Sequence, residues 1–381
     1  MKDIKELRQD IDGIDREILE LFEKRMELSG DIAAYKSENG LPVYDPVREK
    51  EKLLRISKEL PEGLRDSGVA LFRMLFELSK SRQAELLGES SAMADEAVKA
   101  LEETPKLFPE SAMVACQGVE GANSQLAAER LFRLPEIFYF SSFDAVFSAI
   151  EKGFCRYGVI PVENSTAGSV NAVYDLMMKH NFRIVRSVRL KIDHNLLAKP
   201  GVKLKDIKEI FSHDQAIAQC SEFLQRHPDI KVTACENTAA AAKMVAESGR
   251  RDTAALSSRS CADIYGLEAV GESVQNTGNN YTRFICISKE GEIYPGADHT
   301  SLMLTLAHRP GSLCSILTRF FALGININKL ESRPIPSRNF EFMFYFDLET
   351  SVYSPAFKKM LSEVPPLCES FMYLGSYSEV V

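Results

Sequence analysis

In the stretch GNNYTRFICIS, residues 278–288, a polar turn runs into an apolar strand with Thr282 and Arg283 at the join. A hydroxyl and a guanidinium side by side where a strand begins put a hydrogen-bond donor next to a cation. The plainer alternative is a solvated strand start, because Thr favours strands and Arg their edges. Similar polar clusters end or precede other apolar runs: PVENSTAGS after YGVI, FSHDQAIAQC, and ENTAA before a helix. Each one alone reads as a turn or an N-cap. Strand ends and helix N-termini are nevertheless where α/β domains bind carboxylates, so four such clusters point to an anion site. Near the N-terminus a different chemistry shows. Arg25 falls on the apolar seam of a helix between Leu21 and Leu28, with Arg8 and Lys36 bordering it, Arg48 and Glu49 opening the next helix, and Ser79 and Gln83 one turn apart on a third. A cation in such a seam needs an anion, either an acidic residue of the bundle or a ligand. Four cations with a carboxylate and neutral hydrogen bonders describe a dry pocket for a small dicarboxylate.

The elements that must hold these groups fall into three blocks. Apolar residues at Ile4, Leu7, Ile11, Ile14, Ile18, Leu21, Leu28, Ile32 and Tyr35 keep a three-four spacing and predict one long helix. Asn-Gly and two prolines in NGLPVYDPVREKE break it, and the pattern resumes through Leu53 and Leu54 and again from Val69 to Leu87, which makes residues 1–88 an all-helical unit of three helices. Residues 89–110, polar and acidic with two prolines, read as a linker containing one or two helical turns. Residues 111–290 alternate short apolar runs with amphipathic stretches, the pattern of an α/β layer domain. After a second linker, residues 300–381 read βαββαβ, a ferredoxin-like α+β unit.

Composition narrows the function classes. A chain of 381 residues exceeds one ordinary core. A net charge of −8 argues against nucleic acid or an anionic membrane as partner. The N-terminus lacks a signal-peptide core and no apolar run approaches the roughly 20 residues of a membrane span, so a soluble, cytoplasmic protein is expected. The eight cysteines stand singly without a CxxC pair, and the six histidines are dispersed; reduced core thiols and no metal site are expected.

Residues 3–87 resemble the all-helical chorismate mutase family, whose substrate-binding positions map onto Arg8, Arg25, Lys36, Asp45, Arg48, Glu49, Ser79 and Gln83. The resemblance implies rearrangement of chorismate to prephenate without a cofactor, by fixing a reactive conformer and donating hydrogen bonds to the ether oxygen. Lys36 and Gln83 would hold that oxygen, Arg8, Arg25 and Arg48 the carboxylates, and Glu49 the ring hydroxyl. Arg8 and Lys36 are 28 positions apart, about 42 Å along one helix, so one small ligand cannot reach both in the same chain. An intertwined dimer, as a homodimer or within a homotetramer, is therefore expected, with Arg8 reaching the partner's pocket. Residues 112–288 resemble prephenate dehydratase through GVEGANSQLAA, VIPVENSTAGSV, FSHDQAIAQC, ENTAAAA, IYGL and NYTRF. That implies a two-subdomain, periplasmic-binding-protein-like fold, with Thr282 donating to the departing hydroxyl and Asn164, Ser165, Thr166, Ser212, Gln215 and Arg283 binding prephenate. One departure is AALSS at 254–258, which puts Ser257 where the family has glycine. PGSL (Gly311, Ser312, Leu313) and ESRP (Glu331, Ser332, Arg333, Pro334) resemble the phenylalanine-contacting motifs of ACT domains, with Ser312 in place of the usual alanine. In order, the three blocks resemble the bifunctional chorismate mutase/prephenate dehydratases of phenylalanine biosynthesis, feedback-inhibited by L-phenylalanine. An arogenate dehydratase and a catalytically silent phenylalanine-binding regulator are the alternatives.

Overall fold

The computed structural model describes residues 3–42, 45–87, 92–336 and 341–381. Helix α1 (Ile4–Glu38) is unbroken over 35 residues, started by a capping box between Asp3 and Glu6. α2 (Pro46–Glu59) begins at a proline behind the N-cap Asp45, and α3 (Arg65–Leu86) lies against both α1 and α2. The apolar stripe of α1 finds little cover within the chain, for Ile11, Ile14 and Ile18 are each 56% exposed and Leu21 65%.

The expected linker is more ordered than its composition predicts. α4 (Ala92–Glu103) is a full helix, and it buries Ala94 and Ala97 against the C-terminal unit, in the same core as Ile293, Leu302 and Met360. Its small residues at a spacing of three form a narrow apolar face, which polar neighbours mask in a linear reading. The second linker is also partly core, with Ile293, Tyr294 and Ala297 buried.

The middle block has two lobes. β1 (Ser111–Gln117), α5 (Asn123–Leu131), β2 (Leu134–Phe140), α6 (Phe143–Glu151), β3 (Tyr157–Asn164), β4 (Gly168–Ser169), α7 (Asn171–Met177) and β5 (Arg183–Lys191) build the first. The second comprises β6 (Asn195–Ala198), β7 (Glu209–Ser212), α8 (Asp214–Gln219), α9 (Ser221–Gln225), β8 (Lys231–Ala234), α10 (Thr238–Glu247), β9 (Thr253–Ser257), α11 (Ser260–Tyr265) and β10 (Glu268–Gly271). The chain then re-enters the first lobe as β11 (Tyr281–Ser288), between β5 and β3. Where the two crossings run side by side, Ile192 N donates to Asn280 O and Val274 N to His194 O, both at 2.8 Å.

The C-terminal unit is β12 (His299–Thr305), α12 (Ser312–Ala322), β13 (Asn326–Pro334), β14 (Phe342–Glu349), α13 (Pro355–Glu363) and β15 (Ser370–Tyr377). Its strand order β13-β14-β12-β15, all antiparallel, is the ferredoxin-like arrangement the βαββαβ order predicts. The last strand, β16 (Glu379–Val380), leaves that unit and pairs in parallel with β5, so the chain end belongs to the sheet of the first lobe. β15 lies close against β5: Gly375, at φ +135°, has no room for a Cβ against the Ile184 carbonyl.

Candidate active sites

In the helical unit, Arg25 reaches from α1 to α3, where it donates to Leu75 O at 2.7 Å and to Ser79 Oγ. No acidic residue among the described residues pairs with it, so the interhelical salt bridge that sequence reasoning left open is not its role. The guanidinium of Arg25 and the ammonium of Lys52 lie 5.8 and 5.7 Å from the centre of the Phe76 ring. Burial lowers the pKa of both groups, and Arg25, Arg48 and Arg55 push Lys52 further down. Cations that repel one another beside an aromatic ring, next to the buried Ser79 and Gln83, make a receptor for an anion. Gln83 Oε1 is buried and has no hydrogen-bond partner among the described residues, which leaves this acceptor free for a donor such as a ligand hydroxyl. Glu49 sits 3.3 Å from Lys80, and burial raises its carboxyl pKa against that cation's pull.

The other expected members belong to α1 and to the start of α2. Asp45 caps α2, accepting from Arg48 N at 3.0 Å, and Arg48 is exposed. Lys36 is half-buried near the C-terminal end of α1, while Arg8 is exposed near the opposite end. Lys52 was missed by sequence reasoning; its position four residues after Arg48 on α2 is the signal that could have found it.

In the two-lobed domain, β11 lies beside β3 so that Thr282 is opposite Asn164 and Arg283 opposite Glu163. Thr282 Oγ1 accepts from Asn164 Nδ2 at 2.9 Å. Thr166 Oγ1 donates to Asn164 Oδ1 at 2.7 Å, and Ser165 Oγ donates to Asn279 O while accepting from Tyr281 N. The expected residues Asn164, Ser165, Thr166 and Thr282 thus converge, with Asn280 and, from α8 of the second lobe, Gln219 completing the cluster. Gln219 stands four residues after Gln215, one helical turn on, a spacing visible in DQAIAQ.

For four of the expected residues the structure gives other partners. Successive strand residues face opposite sides, so Arg283 points away from Thr282; it pairs with Asp347 and, at 2.7 Å, with Glu379, both of the C-terminal unit. Ser212 is fully buried and spends its hydroxyl on Leu256 O at 2.7 Å. Glu331 and Arg333, expected at a phenylalanine site, instead face the first lobe: Ser169 Oγ donates to Glu331, and Arg333 makes a bidentate pair with Asp175 at 2.9 and 3.0 Å. Ser332 between them is exposed, and Ser312 Oγ at the start of α12 is buried without a partner among the described residues. Ser257, the departure from glycine, has a buried hydroxyl likewise without one.

Together these parts define the class: a helical anion-binding domain and a two-lobed domain with a threonine-centred polar site, both joined to a ferredoxin-like unit on one chain. The chain matches the family model of chorismate mutase type II over residues 7–84 and that of prephenate dehydratase over residues 114–292. It is 30% identical over 388 residues to the bifunctional chorismate mutase/prephenate dehydratase of Aquifex aeolicus, covering 100% of this chain and 99% of that one. It is 34% identical over 333 residues to arogenate dehydratase/prephenate dehydratase 2 of Arabidopsis thaliana, covering 80% of this chain and 87% of that one. The crystal structure of prephenate dehydratase from Arthrobacter aurescens in complex with L-Phe is similar at a TM-score of 0.65 and 27% identity, over 70% of this chain and 90% of that one. The chain belongs to the bifunctional chorismate mutase/prephenate dehydratase family.

Proposed function

We propose that the chain carries out two consecutive steps of phenylalanine biosynthesis, rearranging chorismate to prephenate and then decarboxylating and dehydrating prephenate to phenylpyruvate. The observation that carries this reading is the presence, on one chain, of a cation cluster at Arg25 and Lys52 without a paired carboxylate among the described residues and a separate neutral hydrogen-bond cluster at Thr282. The first suits a reaction that needs only a folded dianion, with Arg25, Arg48 and Lys36 on its carboxylates and ether oxygen, Gln83 donating to the ether, and Glu49 on the ring hydroxyl. At the second, loss of CO2 and hydroxide makes an aromatic ring, so the departing hydroxyl is the obstacle and the Thr282 O–H is its donor. Asn164, Ser165, Thr166 and Gln215 hold prephenate around it. Purified protein given chorismate is expected to form phenylpyruvate; a chain that binds L-phenylalanine but leaves chorismate untouched would be the silent regulator instead. The likeness to an arogenate dehydratase/prephenate dehydratase favours a second substrate, arogenate, and the ratio of turnover on the two decides between them.

The C-terminal unit is an ACT domain in this reading, with L-phenylalanine held at Gly311–Leu313 and beside Ser332. Its contacts reach both catalytic domains. Lys329 pairs with Glu163 at 2.7 Å, next in sequence to Asn164, and the buried Arg319 of α12 pairs with Glu363 at 3.0 Å and donates to Glu77 O of α3 at 2.7 Å. Millimolar L-phenylalanine is expected to slow prephenate turnover at least about fivefold, a coupling of about 1 kcal/mol or more. Unchanged turnover, followed by phenylpyruvate absorbance, rejects the assignment.

The uncovered stripe of α1 and the distance of Arg8 from Lys36 support a dimer in which two α1 helices cover each other and Arg8 serves the partner's pocket. Light scattering is expected to read at least twice the 42.6 kDa chain mass. A monomer with full mutase activity would exclude it. No helix among the described residues is long and apolar enough to cross a membrane. All eight cysteines are free thiols, which supports a reducing compartment such as the cytoplasm.

A further inference from the structure

Charged side chains from the helical unit and the C-terminal unit form one largely buried row. Arg319, on α12, is 2% exposed. Its Nη1 lies 3.0 Å from Glu363 Oε2 of α13, while its Nη2 donates to Glu77 O of α3 at 2.7 Å and stands 3.5 Å from Glu77 Oε2. Ser81 Oγ of α3 donates to the same Glu363 oxygen at 2.6 Å. Glu77 Oε1 in turn accepts from Lys80 Nζ at 2.6 Å, three residues on along α3, and Lys80 Nζ reaches Glu49 Oε1 of α2 at 3.3 Å. The row therefore runs Glu363, Arg319, Glu77, Lys80, Glu49, alternating in sign from the ferredoxin-like unit to the carboxylate expected at the substrate's ring hydroxyl. A row this poorly solvated needs such alternation, because each charge must be answered by its neighbours.

Lys80 decides the far end of the row. Of the groups around Glu49, Glu77 is a like charge on α3, and Arg309, from the turn before α12, is a further cation. Lys52 stands one turn on along α2 and shares the Phe76 ring with Arg25 of α1. Burial pushes the Glu49 carboxyl pKa up, Lys80 pulls it back and Glu77 adds to the rise, so without Lys80 the acid would hold its proton to a higher pH. We propose that Lys80 is a positioning residue of the mutase: clamped on Glu77, it holds Glu49 in place and in its charged form, so that the carboxylate accepts a hydrogen bond from the ring hydroxyl of chorismate. A charged acceptor makes the stronger bond, and a neutral acid would accept more weakly. The inference rests on the reading of the helical unit as a mutase with Glu49 at that hydroxyl. Through Glu77 and Arg319 the same row fastens α3 to the C-terminal unit.

The test is the pH dependence of kcat/KM for chorismate, measured on the full chain between about pH 5 and about pH 9. The carboxyl is charged above its pKa, so activity is expected to fall as pH falls through it. Lys80→Met removes the cation at nearly constant size, and the acidic limb is expected to move up by about one unit or more, a loss approaching about tenfold against wild type on the acidic side. Lys80→Arg keeps the charge and is expected to keep the wild-type limb. Glu77→Gln removes the like charge and is expected to move the limb down, opposite to Lys80→Met, so a change that merely loosened α3 could not produce both. Adding Glu49→Gln to Lys80→Met is expected to abolish the shifted limb, since the titrating group is gone. Turnover of supplied prephenate by the same proteins reports folding of the rest of the chain, and should Lys80→Met fail to fold, the direction of the shift in Glu77→Gln still decides. Superimposed limbs in wild type, Lys80→Met and Glu77→Gln, or a shifted limb that survives Glu49→Gln, overturn the proposal. If wild type leaves chorismate untouched, the mutase reading itself falls; if it converts chorismate and the limb stays unmoved in Lys80→Met, the positioning role alone is removed.

Discussion

Thr282→Ala is expected to lower prephenate turnover by about 10²- to 10⁴-fold while chorismate is still consumed, so that prephenate accumulates. The geometry explains the size and the selectivity. Thr282 is buried near the start of β11 and its Oγ1 accepts from Asn164 while donating to no group among the described residues, so alanine removes that hydroxyl and leaves Asn164 Nδ2 its bond to Asn280. That remaining bond keeps the structural cost small, on the order of 1 kcal/mol, because no buried donor loses its only partner. The mutase residues lie on α1, α2 and α3, outside this sheet, so the first step continues. Phenylpyruvate formed by the variant at a tenth of the wild-type rate or more would reject Thr282 as the donor.

The reciprocal result is expected for Arg25→Ala, with mutase turnover reduced about 10²- to 10³-fold and turnover of supplied prephenate retained. Arg25 is a half-buried cation without an acidic partner among the described residues, so no carboxylate of the bundle answers its charge there. Alanine also removes the bonds to Leu75 O and Ser79 Oγ, which weakens the α1–α3 contact by about 1–3 kcal/mol. Arg25→Lys separates the two effects: it keeps the charge but loses the planar fork, so activity between alanine and wild type is expected. If Arg25→Ala keeps mutase activity and loses only thermal stability, Arg25 is a structural tie and the pocket lies elsewhere.

The two faces of β11 join the Thr282 cluster to the C-terminal unit. One face carries Thr282 and the polar cluster; the other carries Arg283, caged by Asp347 and Glu379. Burial alone would lower the pKa of that guanidinium, but Tyr377, Asp347, Tyr345 and Glu379 outweigh it and hold the charge firmly. The C-terminal unit is therefore tied to the residue adjacent to Thr282 and, through Lys329 and Glu163, to the strand that ends in Asn164.

Much of this protein was legible in local sequence. The three-four apolar spacing from Ile4 to Tyr35 determined α1, and the order of short runs after residue 300 determined the ferredoxin-like unit, because both depend on periodicity within one element. The strand alternation of Thr282 and Arg283 was also implicit, since adjacent residues must face opposite sides. Only the tertiary structure decided which side was chemistry and which was interface, for that depends on what packs on each face: Asn164 lies 118 positions from Thr282, and Asp347 64 positions from Arg283. The same reason hid Gln219, His194 and Asn280, which meet across a lobe boundary, the packing of α4, and the return of β16 to a distant sheet. Spacing along the chain determined the elements and the residue types available for chemistry; contacts between residues far apart in the chain determined which of them meet.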